Sequence, residues 1–308
     1  SLGRNGSRPV LRQLSESPYL YGSDITSTTL IKYEYQKKYP NLFTPYRTAF
    51  FDIETDMVHG TEDPILTSIV LDKEIRSYYV KSFFDGYINV EEQLRACAEK
   101  YIGEYLKNGG YNLVFVECTD TIDMICKSFA QCHEWMPDFL AVWNINFDVP
   151  KIISTLEHFN VDPADVFCDP KVPKGVRICK YKEGNTKKVT ASGKVQPISP
   201  ADQWHTFHLS ASFYCLDAMC TYRLIRLGAQ EKSSYALDNI LGIELGIGKL
   251  KLTDSDNFSG LKWHQEMQAR HKLFYCVYNF FDSFSVILLD VKTKDIAFTF
   301  TSMSECTP

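Results

Sequence analysis

The chain contains no apolar run of the roughly 18 residues that a membrane-spanning helix requires, which points away from a membrane partner. Its first residues, SLGRNGSRPVLRQ, lack the apolar stretch of a secretory signal and read as a linker remnant, so the protein is expected not to be secreted. The ten cysteines include no Cys-x-x-Cys pair. The nearest spacings (Cys118, Cys126 and Cys132; Cys215 and Cys220) match no structural metal pattern. Reduced and mostly buried thiols are expected instead. Positive charge is not in excess either: the formal net charge is −5. That balance does not advertise nucleic-acid binding, but it leaves room for a local basic patch. Internal repeats are absent.

What is present fits an ordinary globular chain. Of its 308 residues, 44% are apolar and 23% charged, enough to bury a full core in one large or two modest domains. Residues 1 to 18 are polar, and LIKYEYQKKYP (30 to 40) reads as a short helix ending at Pro40. RTAFFDIET (47 to 55) reads as the first strong strand. ILTSIVLD and EIRSYYVKS read as two antiparallel strands turning near Asp72 and Lys73. The segment from Val90 has helical spacing and stops at Gly109 and Gly110. Beyond it come the strand YNLVFVE, the helix DTIDMICKSFAQCHEWMP and the strand DFLAVWN. Next is a helix opened by Pro150 at a first-turn position. From 163 to 205 the pattern breaks. Residues 171 to 194 hold eight Lys or Arg against the single acid Glu183, and two segments flank Gly184-Asn185 as a hairpin would. The strand FYCLDA, a helical stretch and a long final helix from Leu261 to Val291 complete an α/β pattern with a mixed sheet.

Three places put acids where apolar context implies burial. Asp52 and Glu54 fall on one face of the first strand, opposite Phe51 and Ile53, because side chains alternate along a strand. Asp148, in WNINFDVPK, lies at a strand-to-helix junction, where α/β sheets gather their sites and a helix N-terminus is positive. Tyr278 and Asp282, in YNFFDSF, are i and i+4 on one helical face. Each has a bland reading: a solvated acidic face, a helix cap, a local hydrogen bond. Together, four carboxylates suit two divalent cations of the magnesium or manganese kind, which prefer oxygen ligands. Two such ions can stabilise the attacking and leaving oxygens of a phosphodiester displacement. Tyr278 can orient the attacking water.

FDIET, WNINFD and YNFFD resemble, in this order, the three motifs of the Asp-Glu-Asp-Asp exonuclease superfamily with the tyrosine form of the third. The segments SSYALDNILGIELGIGKLKL, GLKWHQEM and YCVYNFFDSFSVILLD are similar to the proofreading 3′→5′ exonuclease domain of family B DNA polymerases. The likeness is greatest to those of tailed phages. The likeness runs from about residue 22 to about 295, and the Leu-Gly-x-Gly-Lys stretch is its most telling part. The second motif departs in one respect: Asn144 stands three residues before Phe147, where many polymerases of this group have four.

The resemblance implies a ribonuclease H-like mixed sheet flanked by helices, with an inserted β-hairpin. It implies that Asp52 bridges two metal ions (Mg2+ or Mn2+), that Glu54 and Asp282 complete one site, and that Asp148 holds the second. Glu54 and Tyr278 would steer the water, and Asn144 and Phe147 would shape the pocket for the 3′-terminal nucleotide. The lysine-rich hairpin, with Lys187 and Lys188, would meet DNA where the primer end parts from its template; a solvated loop is the bland alternative. The implied organisation is an N-terminal polymerase remnant over 1 to 46, the exonuclease domain over 47 to 295, and a tail over 296 to 308 leading toward an absent palm. Neither palm motif, Asp-x-x-Ser-Leu-Tyr nor Asp-Thr-Asp, occurs. The chain is therefore expected to synthesise no DNA alone, whether as an excised domain or as one subunit of a split polymerase. Its implied partners are a single-stranded or frayed DNA 3′ end, the polymerase palm, fingers and thumb, and a sliding clamp, in the cytoplasm of an infected host cell. Two other readings are a non-catalytic DNA-holding or bridging subunit, and an RNA-directed nuclease of the same superfamily.

Overall fold

A computed structural model describes residues 27–39, 46–230, 232–252 and 258–296. Expectations for residues 1 to 18, for the helix stop at Pro40 and for the tail beyond residue 296 lie outside these. Contacts divide the chain into two units, residues 1–45 with 301–308, and Tyr46–Phe300. The described part of the first is chiefly helix α1, Ser27–Lys38.

The second unit is α/β. A six-stranded mixed sheet runs in the order β10-β5-β1-β2-β3-β4. Its strands are β1 (Thr48–Thr55), β2 (Pro64–Leu71), β3 (Glu74–Val80), β4 (Asn112–Cys118), β5 (Phe139–Val142) and β10 (Tyr214–Asp217). β1 pairs antiparallel with β2 and parallel with β5, so it lies inside the sheet. Alternation along β1 sends Ala49, Phe51 and Ile53 into one core and Phe50 into the other. Phe51 meets Phe129 at 5.3 Å between ring centroids. One face carries α2 (Val90–Gly109) and the final helix α9 (Lys272–Thr293); the other carries α3 (Thr121–Trp135), α4 (Ile145–His158) and α5 (Pro163–Phe167).

Helix α9 is long and apolar enough to cross a membrane by length and composition, contrary to the sequence reading that no run approaches that length. Yet 83% of its most apolar stretch is buried inside the protein. Phe280, Phe281 and Phe284 are all but inaccessible, and each buried phenylalanine contributes about 1.5–3 kcal/mol of transfer free energy. Its apolarity serves the core.

Three expected elements are redrawn. Helix α4 begins at Ile145 and not at Pro150, because the Asn144 carbonyl already accepts from Phe147 N (2.9 Å) and Asp148 N (3.3 Å). Pro150 stands at the sixth helical position and forgoes one backbone bond, to the Asn146 carbonyl. The long final helix is broken at His271 (φ −128°, ψ 42°) into α8 (Leu261–Arg270) and α9. The hairpin about Gly184-Asn185 does not form. Strand β6 (Cys179–Lys182) pairs with β9 (Thr206–Leu209), and β7 (Lys187–Val189) pairs with β8 (Val195–Pro197). The turn falls at Thr190–Lys194, where Gly193 has φ +80° and the Thr190 amide bonds the Lys194 carbonyl (2.9 Å). Gly184 serves a different need. A Cβ there would lie 1.5 Å from the Gln203 carbonyl oxygen, so the residue permits close passage of two backbones.

Remaining helices are α6 (Ala218–Ile225) and α7 (Leu237–Leu245). Among the described residues the cysteines are free, five of them buried and Cys126 exposed.

Candidate metal centre and its cavity

The site assembles where β1, the start of α4 and the middle of α9 meet. Asp52 and Glu54 leave β1 on the face that looks toward α9, and the strand's interior place rules out a solvated edge. A register shift between Glu54 and Thr55 ends the regular pairing with β2 just beyond them. Asp148 sits buried in the first turn of α4, whose N-cap is Asn144 and not Asp148. Tyr278 and Asp282 are buried on successive turns of α9. Carboxylate oxygens of Asp52, Glu54 and Asp282 all lie within 4.8 Å of one another and could hold a metal ion. All four carboxylates and Tyr278 line one cavity of about 1010 Å³.

Asn144 and Phe147 line it too, and both are exposed. Lys187 and Lys188 do not: they stand exposed on β7 of the outlying ribbon. Asp56, the third acid of the first motif, takes no part. Its carboxylate accepts from the amides of Val58 (3.0 Å) and His59 (2.9 Å) and shapes the following loop.

The electrostatics are those of buried acids set close together. Burial, then the neighbouring carboxylates, raise the Asp52 and Asp148 carboxyls well above the ordinary range, with Lys249 opposing. Burial pushes Asp282 up to about 6 against the pull of Lys249. Burial and Asp282 also raise the Tyr278 phenol, which stays protonated at neutral pH.

Sequence reasoning missed the residues that hold this arrangement. Lys249 Nζ donates to the Tyr278 hydroxyl (2.9 Å) and to Asp282 Oδ2. Burial works against the ammonium, but Asp282 and Tyr278 hold it well above the usual lysine range. The local sequence delivers it: Gly246 (φ +69°) ends α7 in the left-handed conformation, and Asp238 Oδ1 then accepts from the Lys249 amide (2.6 Å). Asn279 Nδ2 donates to Asp52 Oδ2 (2.9 Å), and Tyr275 donates to Glu54 Oε2. The signal was available. Tyr275, Tyr278, Asn279 and Asp282 recur at i, i+3, i+4 and i+7, one stripe of a helix, of which only two members were used.

The donor set is all oxygen, which suits magnesium or manganese better than softer metals. Asp282 Oδ1 is buried and accepts no hydrogen bond, an orphaned acceptor that a cation would satisfy. The residues therefore fit a divalent cation. Compared with models of protein families and with curated proteins, the chain matches none.

Proposed function

We propose that this protein is a two-metal-ion 3′→5′ exonuclease that hydrolyses DNA from the 3′ end to nucleoside 5′-monophosphates. In this reading it is the proofreading part of a family B replicative polymerase, without polymerase activity of its own, and its mixed sheet is ribonuclease H-like. The observation that carries the reading is the convergence of Asp52, Glu54, Asp148 and Asp282 with Tyr278 in one cavity, in the order and residue types of the three motifs.

Asp52, Glu54 and Asp282 would hold one divalent ion, and Asp148 with Asp52 a second. The ions, when bound, would supply charge neutralisation at the phosphodiester and lower the pKa of a coordinated water. The protein's own groups do the rest. Glu54 and the protonated Tyr278 hydroxyl orient the attacking water toward phosphorus, and the bond from phosphorus to the 3′ oxygen of the preceding nucleotide breaks. Lys249 keeps the Tyr278 hydroxyl and the Asp282 carboxylate in register and adds positive charge beside the phosphate. Asn144 and Phe147, at the cavity wall, would contact the terminal nucleotide, with the Phe147 ring offering a stacking face. Lys187 and Lys188 would contact DNA phosphates at a distance from the chemistry.

The test is the identity and polarity of the product. Single-stranded DNA labelled at its 5′ end, incubated with Mg2+ or Mn2+, should shorten stepwise and release nucleoside 5′-monophosphates. Stepwise loss of a 5′ label, or internal cleavage, would contradict the proposal, as would equal degradation of RNA.

A further inference from the structure

Tyr275 is inaccessible to solvent and one helical turn before Tyr278, with the two rings stacked at 6.0 Å and 4°. Three polar groups surround its hydroxyl. Gln268 Nε2 lies 3.1 Å away, His264 Nδ1 2.8 Å away, and Glu54 Oε2 accepts from it.

The proton count settles who donates. A phenol has one proton and two acceptor lone pairs, and an amide nitrogen can only donate. The Gln268 amide is fixed in orientation by the backbone: its Oε1 accepts from Met57 N (2.9 Å) and its Nε2 donates to the Thr55 carbonyl (2.8 Å). Gln268 therefore donates to Tyr275, and a ligating Glu54 carboxylate can only accept. The phenol proton goes to Glu54 Oε2. With the phenol proton committed to Glu54, His264 Nδ1 must carry a proton and donate to the remaining lone pair.

This network meets β1 at its register shift, because Gln268 holds the backbone of Thr55 and Met57 on either side of Asp56. Helix α8 can reach there because the chain bends at His271. Gln268 is itself buried.

We propose that Tyr275 is a positioning residue for Glu54: its hydroxyl occupies Oε2, leaves Oε1 as the oxygen available to a cation, and is aimed by Gln268 and His264. The inference rests on the nuclease reading. It adds a residue outside the three motifs' acidic and tyrosine positions, acting through Glu54 and touching neither metal nor substrate.

The substitution Tyr275→Phe keeps the ring and removes only the hydroxyl. Calorimetric titration with Mn2+ should show affinity about 10- to 100-fold weaker than the parent's, the range typical of lost ligand-orienting hydrogen bonds. The rate constant kcat on single-stranded DNA should fall by a comparable factor, KM for DNA should hold, and excess Mn2+ should recover part of the loss. A purely structural role would lower the melting temperature without moving Mn2+ affinity in the folded variant. Gln268→Leu provides a second arm, leaving the phenol but removing a donor that aims it; Mn2+ binding should weaken in the same direction by a smaller factor. Folded variants that bind Mn2+ like the parent overturn the inference. If the parent binds Mn2+ without cleaving DNA, the nuclease reading fails while the affinity comparison still decides the role of Tyr275. If the parent binds no Mn2+, both fail.

Discussion

Lys249 Nζ stands 2.9 Å from the Tyr278 hydroxyl and also bonds Asp282, so a loop after α7 and the core helix α9 meet at a single ammonium. Among the described residues this is the lysine that pairs with the acidic cluster. It is one charge against four carboxylates, and burial, with the neighbouring carboxylates, still raises the Asp52, Asp148 and Asp282 carboxyls against its pull.

Replacing that lysine should therefore cost most when no metal is present. Lys249→Met is expected to lower stability by about 1–3 kcal/mol in chelator, the penalty of leaving a buried charged group without its partner. Saturating Mg2+ should return much of the loss, since a divalent ion supplies the missing charge. Melting curves with and without Mg2+ check this; an identical deficit in both would contradict it. Nuclease activity should fall regardless, because Tyr278 loses its partner.

The pH dependence follows from Asp282. Its folded value, about 6, lies above the 3.8 of an unperturbed Asp. Between those limits the folded protein binds a proton that the unfolded chain releases. The stabilisation is fully present below the lower value and is lost as pH rises through about 6. Asp52 and Asp148 act in the same direction. Metal-free protein should thus melt at a lower temperature near pH 7.5 than these groups alone would give at pH 5, and the gain in melting temperature on adding Mn2+ should be larger at the higher pH. A metal-induced gain independent of pH would count against the cluster as the binding site.

Gly184 is expected to be intolerant for steric reasons. Ala at this position would put Cβ 1.5 Å from the Gln203 carbonyl oxygen, a clash that only backbone movement relieves. Gly184→Ala should destabilise by about 1–3 kcal/mol, as over-packing does elsewhere. It should also disturb the bond from the Gly184 amide to His205 Nδ1 (3.3 Å). A parent-like melting temperature would contradict the close approach.

Lys187 and Lys188 lie on an exposed ribbon and do not line the cavity, so their contribution to DNA binding should be separable from chemistry. The pair Lys187→Gln with Lys188→Gln should reduce the salt dependence of single-stranded DNA binding by about 1.4 in slope, the release expected for two phosphate contacts. Mn2+ affinity should be unchanged. An unaltered slope would remove the ribbon from the DNA path.

Much of the site was readable before the fold, and the reasons are specific. Asp52, Glu54, Asp148, Tyr278 and Asp282 are charged or polar residues embedded in apolar runs, a contrast that survives without any structure. The strands β1 to β4 and helix α2 were legible because alternation, helical spacing and the Gly109-Gly110 stop are local signals. What failed depended on distant partners. Gly184 looks like a turn residue until Gln203 is brought beside it, and Pro150 looks like a helix start until the Asn144 carbonyl is seen to begin the helix earlier. The bend at His271 has no breaker residue to announce it. Lys249 stood in a motif used only for its resemblance, and the 33 residues to Asp282 hide a direct bond.

The most direct test compares the shortening of 5′-labelled single-stranded DNA by the parent and by Asp52→Ala, in Mg2+ or Mn2+ and in chelator. The expected result is divalent-dependent cleavage by the parent, abolished by chelator and slowed by about 100-fold or more in Asp52→Ala, the scale of losing a principal electrostatic element of a site. Degradation by Asp52→Ala as fast as by the parent would contradict the account.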